Sequence, residues 1–170
     1  WRRDANRRNP PQQKAADPVS LKTLYKILGE AKVQGVAEEE RIALDVLTIA
    51  FVTVSRVKEI LALKVKDVAP SGNMVRIRPK MKAKTWQRIT KRVSNTKGLR
   101  AADMLFRYRE LAVQEGRRKL FTGRDGKGLK TPTISIRLKN AAQKLGFSIR
   151  LSAHSARKGA AVEAASRGIP

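Results

Sequence analysis

Residues 153–161 read Ala-His-Ser-Ala-Arg-Lys-Gly-Ala-Ala, and this stretch sets the reading of the whole chain. His154 and Arg157 are three positions apart, which on the first turn of a helix puts them on one face. The positive end of a helix dipole lies there and favours an anion such as phosphate. The small residues Ala153, Ala156, Gly159, Ala160 and Ala161 would let another backbone come close, which a plain surface helix does not need. The His-x-x-Arg spacing alone is weak, because a histidine near a helix start and a solvated arginine would look the same.

A second segment stands far upstream. Residues 55–68 read Ser-Arg-Val-Lys-Glu-Ile-Leu-Ala-Leu-Lys-Val-Lys-Asp-Val. Arg56 and Glu59 fall one turn apart on a helix whose other face carries Val57, Ile60, Leu61 and Leu63. Local spacing alone favours reading that pair as a surface ion pair, worth about 0.2–0.5 kcal/mol.

Between the two segments the period changes. Pro70-Ser71-Gly72-Asn73 is turn chemistry. Beyond it Arg76, Arg78, Lys80, Lys82 and Lys84 alternate with Val75, Ile77, Pro79, Met81 and Ala83. Period two puts the cations on one face of an extended segment. Residues 87–93 could return as a partner strand, carrying Arg88, Lys91 and Arg92. From Val75 to Arg100 there are ten basic residues and no acid. A solvated charged face would normally contain some acids, so the pattern predicts a phosphate-facing hairpin. Its candidate phosphate contacts are Arg76, Arg78, Lys80, Lys82, Arg88, Lys91 and Arg92.

The rest reads as helix. Residues 1–16 hold five basic residues and Pro10-Pro11, a basic linker or arm. Asp17 or Ser20 could cap a helix with Leu21, Leu24, Tyr25, Leu28 and Ala31 on one stripe, ended by Gly35. Glu38-Glu39-Glu40 suits the start of a second helix running towards Val54, with the Arg56–Leu63 helix close behind. Residues 99–114 form another, and Lys119-Leu120-Phe121 is a short apolar piece before a turn. Thr131-Pro132 places an N-cap before a first-turn proline, opening a helix that Gly146 closes. The last helix starts within residues 152–155 and ends at Gly168. The expected fold is mainly α with a small antiparallel β-sheet (α+β).

Composition narrows the function. Of 170 residues, thirty-eight are Lys or Arg and fourteen are Asp or Glu, a formal charge of +24. Such a charge calls for a polyanionic partner, nucleic acid ahead of an anionic membrane surface. At 41% hydrophobic the chain can build a core. With no cysteine and one histidine it cannot make a disulfide framework, a thiolate zinc site or a multi-histidine metal centre. No apolar run is long enough to cross a bilayer, and the start at Trp1 has no apolar signal core. An intracellular protein associated with nucleic acid is expected, read from the middle of a longer one.

Taken together, the segments resemble the tyrosine recombinases (the phage-integrase family), most closely the Cre recombinase type. The resemblance rests on Arg56-x-x-Glu59 continuing into Val65-Lys66-Asp67-Val68, the basic hairpin with Lys84-Thr85, and His154-Ser155-Ala156-Arg157-x-Gly159-Ala160-Ala161. It spans residues 17–170, the expected catalytic domain. It implies strand cleavage and rejoining without a metal, through a 3′-phosphotyrosyl link and a free 5′-hydroxyl. Arg56 and Arg157 would be the two catalytic arginines, gripping the non-bridging oxygens of the reacting phosphate. Lys84 would protonate the departing 5′-oxygen, with Lys80 and Lys82 open alternatives on the same face. His154 would hydrogen-bond or transfer a proton at the phosphate, and Glu59 would orient the basic groups. The implied partner is double-stranded DNA, with a homotetramer assembled on it and no small-molecule substrate.

One departure matters. The family's tyrosine follows the His-x-x-Arg helix, whereas Tyr25 and Tyr108 lie upstream, in predicted helices, as packing residues. The nucleophile is expected beyond Pro170, and the fragment alone is expected to be inactive. Three other readings compete: a DNA-binding module of this fold without chemistry, a type IB topoisomerase, and a basic RNA-binding protein of the ribosomal kind. The last leaves His-Ser-Ala-Arg unexplained, and few aromatics are present for base stacking.

Overall fold

The computed structural model describes residues 16–77, 89–96 and 98–168. The first helix, α1 (Leu21–Gln34), starts where Ser20 Oγ accepts the Thr23 N–H at 3.0 Å. It stops at Gly35, whose φ of 79° suits a residue without a side chain. Helix α2 (Glu38–Thr53) follows, with three glutamates in its first turn facing the positive end of its dipole.

The core is organised around α2, which is buried without a break from Ala43 to Phe51 and packs on every other long helix. Burial on all sides explains its weakly amphipathic sequence. Two carboxylates survive inside it. Asp45 accepts from Tyr108 Oη at 2.6 Å and Arg107 Nη2 at 2.9 Å, and Glu40 is paired with Lys144. These contacts bind α2 to α4 (Ala101–Gln114) and to α5 (Thr131–Lys144).

Helix α2 ends at Val54, which has φ 51°. A β-branched residue in the left-handed region is strained, and only its surroundings can hold it there. The chain then turns at Arg56, the N-cap of the short α3 (Val57–Leu61). Leu63, expected within this helix, lies just past it and is buried. A 3₁₀ turn, Val65–Asp67, follows and is fastened by the Lys64 N–H on Asp67 Oδ2.

Strands β1 (Met74–Ile77) and β2 (Ile89–Arg92) pair antiparallel, with Val75 opposite Lys91 and Arg76 opposite Thr90. The expected alternation holds over this length: Val75 and Ile77 are buried and Arg76 is exposed. A second two-stranded sheet, β3 (Asn95–Thr96) with β4 (Leu99–Arg100), was not foreseen. It takes up Leu99 and Arg100, so the helix expected from Leu99 begins at Ala101. Helix α5 differs at its start as well. Lys130 is the cap and Thr131 is already helical.

The last helix, α6 (Ser155–Ser166), is clamped to the segment before α1. Val19 N–H donates to Ser155 O, Asp17 N–H to Arg150 O, and Arg150 N–H and Nη2 to the Asp17 carboxylate. The approach is closest at Gly159, where a Cβ would stand 1.8 Å from Val19 O. Among the described residues no helix is long and apolar enough to cross a membrane.

Candidate active site

The two segments singled out in the sequence meet at one cleft, of about 1030 Å³, between the starts of α3 and α6. Arg56 arrives as the N-cap of α3 in an extended conformation, its backbone C=O accepting the Glu59 and Ile60 N–H groups. Arg157 stands in the first turn of α6, and His154 is that helix's N-cap. The turn before α6 is held firmly. Ser155 Oγ accepts the Ser152 N–H at 3.0 Å, and Ser135 Oγ of α5 accepts the Ala153 N–H at 3.0 Å.

Six cations line the cleft: Arg56, Lys58, Lys119, Lys130, Arg157 and Lys158. His154 joins them, and no carboxylate is among the lining residues. Val57, Leu61, Leu129 and Pro132 supply the apolar part of the wall. Guanidinium groups converging beside apolar surface bind an anion more strongly than they would in open water. The N–H groups at the start of α6 add partial positive charge at the same wall.

Lys119 and Lys130 were not singled out from the sequence. Lys119 comes to the cleft because its backbone bridges to Lys64, with Val65 N–H on Arg118 O at 2.8 Å and Leu120 N–H on Leu63 O at 3.2 Å. Lys130 is there as the cap of α5. The only hint in the sequence was their position on either side of the Leu120-Phe121 piece and its turn.

Glu59 stands one turn after Arg56, half-buried and outside the cleft lining. No ion pair joins it to Arg56 among the described residues. Its charge acts instead on Lys91, whose ammonium is turned inward and donates to Thr53 O at 2.8 Å, Val54 O at 3.3 Å and Ser55 Oγ at 3.1 Å. Burial pushes the Lys91 ammonium below its ordinary range; the Glu59 carboxylate opposes this and the Arg157 guanidinium adds to it.

Arg76 and Arg92 are exposed on the outer face of the β1–β2 ladder, opposite Thr90 and Met74. Lys91, grouped with them from the sequence, lies across from buried Val75 on the inner face. Adjacent strand residues point to opposite faces, so Lys91 and Arg92 could not share a surface. Arg78, Lys80, Lys82, Lys84 and Arg88 lie outside the described residues.

Neither tyrosine stands in the cleft lining. Tyr108 is buried, its ring 4.8 Å from that of Phe121 and its hydroxyl on Asp45. Burial and the Asp45 charge push that hydroxyl far above the usual phenol range, away from the phenolate a nucleophile needs. Tyr25 is half-buried on α1 and packs against Gly98, where a Cβ would stand 2.1 Å from its ring.

Comparison with known proteins places this arrangement. Residues 19–170 match the sequence model of the phage integrase family. No curated protein sequence matches. Among solved structures, XerA recombinase superposes with a TM-score of 0.69 at 19% identity, over 95% of this chain and 54% of that one. XerH site-specific recombinase bound to difH substrate, in a pre-cleavage complex, gives 0.64 at 18% identity, over 91% and 44%. A lambda integrase dimer bound to a COC′ core site gives 0.64 at 18%, over 92% and 43%. The chain thus spans about half the length of these proteins, and the likeness is one of fold: mainly helical, with a small antiparallel sheet.

Proposed function

We propose, from the premise that this chain belongs to the phage integrase family, that it is the catalytic domain of a site-specific recombinase or integrase acting on double-stranded DNA. The observation that carries this reading is the convergence of Arg56, His154 and Arg157 on one carboxylate-free cleft from opposite ends of the sequence. Solvated surface residues have no reason to converge in this way.

The geometry suits phosphoryl transfer at a DNA phosphodiester. The guanidinium groups of Arg56 and Arg157 hold the two non-bridging oxygens, which gather charge as the phosphorus becomes five-coordinate. A tyrosine hydroxyl attacks the phosphorus, its proton passing to His154, as a P–O bond forms to the protein and the bond to the 5′-oxygen breaks. That oxygen leaves with a proton from Lys84, and His154 hydrogen-bonds at the phosphate. Glu59 acts through Lys91 and the arginines. Rejoining is the same sequence in reverse, so the phosphotyrosyl link conserves the bond energy and no cofactor is required. Tyr108 is unsuited to attack, so the nucleophile is assigned to a tyrosine beyond Pro170. Synapsis as a homotetramer on DNA belongs to the same reading.

Duplex binding across a salt series tests the first step. Cations in the cleft and on the hairpin release counterions on binding, so log K should fall linearly with log salt, by roughly 0.9 per phosphate neutralised. A flat slope, or equal affinity for an acidic polypeptide, would overturn the DNA reading. Continuing the reading frame past Pro170 and trapping a covalent adduct on a nicked duplex separates the enzyme from a DNA-binding module without chemistry.

A further inference from the structure

We infer that Lys91 is a positioning residue for Arg56, its ammonium fastening the Val54–Ser55 turn so that the arginine following it is aimed into the cleft. This rests on the catalytic reading above and concerns a lysine that the sequence had grouped with the DNA contacts.

Three observations converge on this ammonium. Its acceptors are consecutive: Thr53 O, Val54 O and Ser55 Oγ, the three residues immediately before Arg56. The first two are carbonyls at the C-terminal end of α2, where the helix dipole gathers negative charge; Thr53 O also accepts from Ser55 Oγ at 3.2 Å, and the cation bridges the two carbonyls. The second observation is Val54 itself, held at φ 51° with a β-branched side chain. A free chain would relax from that conformation, and Arg56 would swing with it. Ser55 N–H on Ala50 O at 2.9 Å holds the turn from the helix side, and Lys91 holds it from the sheet side.

The third is the set of charges around it. Glu59, one turn beyond Arg56, favours the ammonium electrostatically, and Arg157, from α6, opposes it. Lys91 therefore fastens the hairpin strand to the end of α2 and the turn into α3, within electrostatic reach of Glu59 and Arg157. A lysine inside a ladder, across from buried Val75, gives up solvation for these contacts. A DNA-binding lysine would have kept it.

The test uses Lys91→Met, which keeps the apolar stem, and Lys91→Cys followed by alkylation with 2-bromoethylamine, which restores an ammonium at nearly the same reach. The 170 residues include no cysteine, so on this chain the alkylation is confined to the new thiol, and in the continued chain any further cysteine is first replaced by serine. Hydrogen exchange on the 170-residue chain reads the turn directly. In Lys91→Met the Val54 and Ser55 amides should exchange at least tenfold faster while those of Leu44–Ile49 are unchanged, and alkylated Lys91→Cys should regain the protection. On a chain continued through the downstream tyrosine, single-turnover cleavage should fall tenfold or more in Lys91→Met, with duplex affinity within about threefold, and alkylation should recover most of the rate. Arg92→Met is the contrast, with weaker binding, a shallower salt slope and unchanged exchange.

Unchanged exchange at Val54 and Ser55 overturns the inference. So does a Lys91→Met chain that binds poorly and loses salt slope as Arg92→Met does. If Lys91→Met does not fold, failure of the alkylated Lys91→Cys chain to regain both protection and rate overturns it equally. If exchange responds as expected but the wild-type extended chain never cleaves, the catalytic reading fails and the fastening of the turn stands.

Discussion

The hydroxyl of Tyr108 donates a 2.6 Å hydrogen bond to Oδ2 of Asp45, joining α4 to the middle of the most buried helix across 63 positions of sequence. Arg107 reaches the same oxygen from the solvent side. Removing the acceptor leaves a buried hydroxyl and a half-exposed guanidinium without a partner. Asp45→Ala should lower unfolding stability by roughly 3 kcal/mol, as when one member of a buried pair is deleted. Asp45→Asn should cost much less, because the amide oxygen still accepts from Tyr108 and no charge is buried. Burial holds the Asp45 carboxyl above its ordinary range, so its contribution is full at low pH and shrinks as pH rises through the folded value. Denaturant titrations of both variants from about pH 4 to 8 check the order and the slope, and equal losses would show that the hydrogen bond is not what matters.

Gly159→Ala should be among the most damaging single-methyl changes available. Its Cβ would stand 1.8 Å from Val19 O and 2.8 Å from Val19 C, both backbone atoms that cannot swing aside. Overpacking of this kind costs roughly 1–3 kcal/mol or more, and here it also pushes α6 away from the preceding segment. Gly29→Ala on α1 is the control. Its Cβ would meet nothing within 4 Å, so helix propensity should raise stability by about 0.5–1 kcal/mol. Thermal melts of the two variants should move in opposite directions.

In a chain extended through the downstream tyrosine, Arg56→Ala and Arg157→Ala should slow cleavage a hundredfold or more while weakening duplex binding only a few-fold. One phosphate contact among many adds modestly to affinity, but a donor aimed at developing charge contributes about 3 kcal/mol to the rate. Lys84→Ala should differ in kind. A substrate with sulfur at the bridging 5′ position should rescue it and not the arginine variants, since a thiolate leaves without a proton. Rescue of Lys80→Ala or Lys82→Ala instead would move the general acid along the hairpin.

Asp17 should account for part of the acid sensitivity. The Arg150 backbone N–H, then its guanidinium, hold the Asp17 carboxyl below the ordinary value. A depressed carboxylate contributes stability that is present above the unfolded value and is lost as pH falls through the folded one. Asp17→Asn should therefore flatten the stability profile below about pH 4 and leave its shape unchanged near neutrality. An unaltered acid limb would show that the contact is not held in solution.

Local signals were legible wherever the chemistry was local. Gly35 ends α1 in sequence and in structure, Ser20 is the one of the two caps offered, Asp17 and Ser20, that caps it, and alternation located β1. What escaped depended on pairing partners that no local pattern marks. Leu99 and Arg100 look helical until Asn95 and Thr96 pair with them. Lys91 looks like any cation of the run until the carbonyls of Thr53 and Val54 are placed beneath it, 38 and 37 positions away. At the cleft, Arg56, His154 and Arg157 were named in advance because the joint order of their two segments resembles a known family, not because either spacing is decisive alone. Lys119 and Lys130 carry no motif and arrive there only through a backbone bridge and a helix start.

The clamp between residues 16–19 and α6 also sets the path of mechanical load. A pull on the chain ahead of Ala16 meets the Lys158 ammonium on Ala16 O, then the paired bonds between Asp17 and Arg150, then Val19 N–H on Ser155 O, before α1 is reached. The first body to take the strain is thus the turn and helix that carry His154 and Arg157. With Gly159 seated on Val19, the backbone ahead of α1 rests directly on the helix that carries the second arginine.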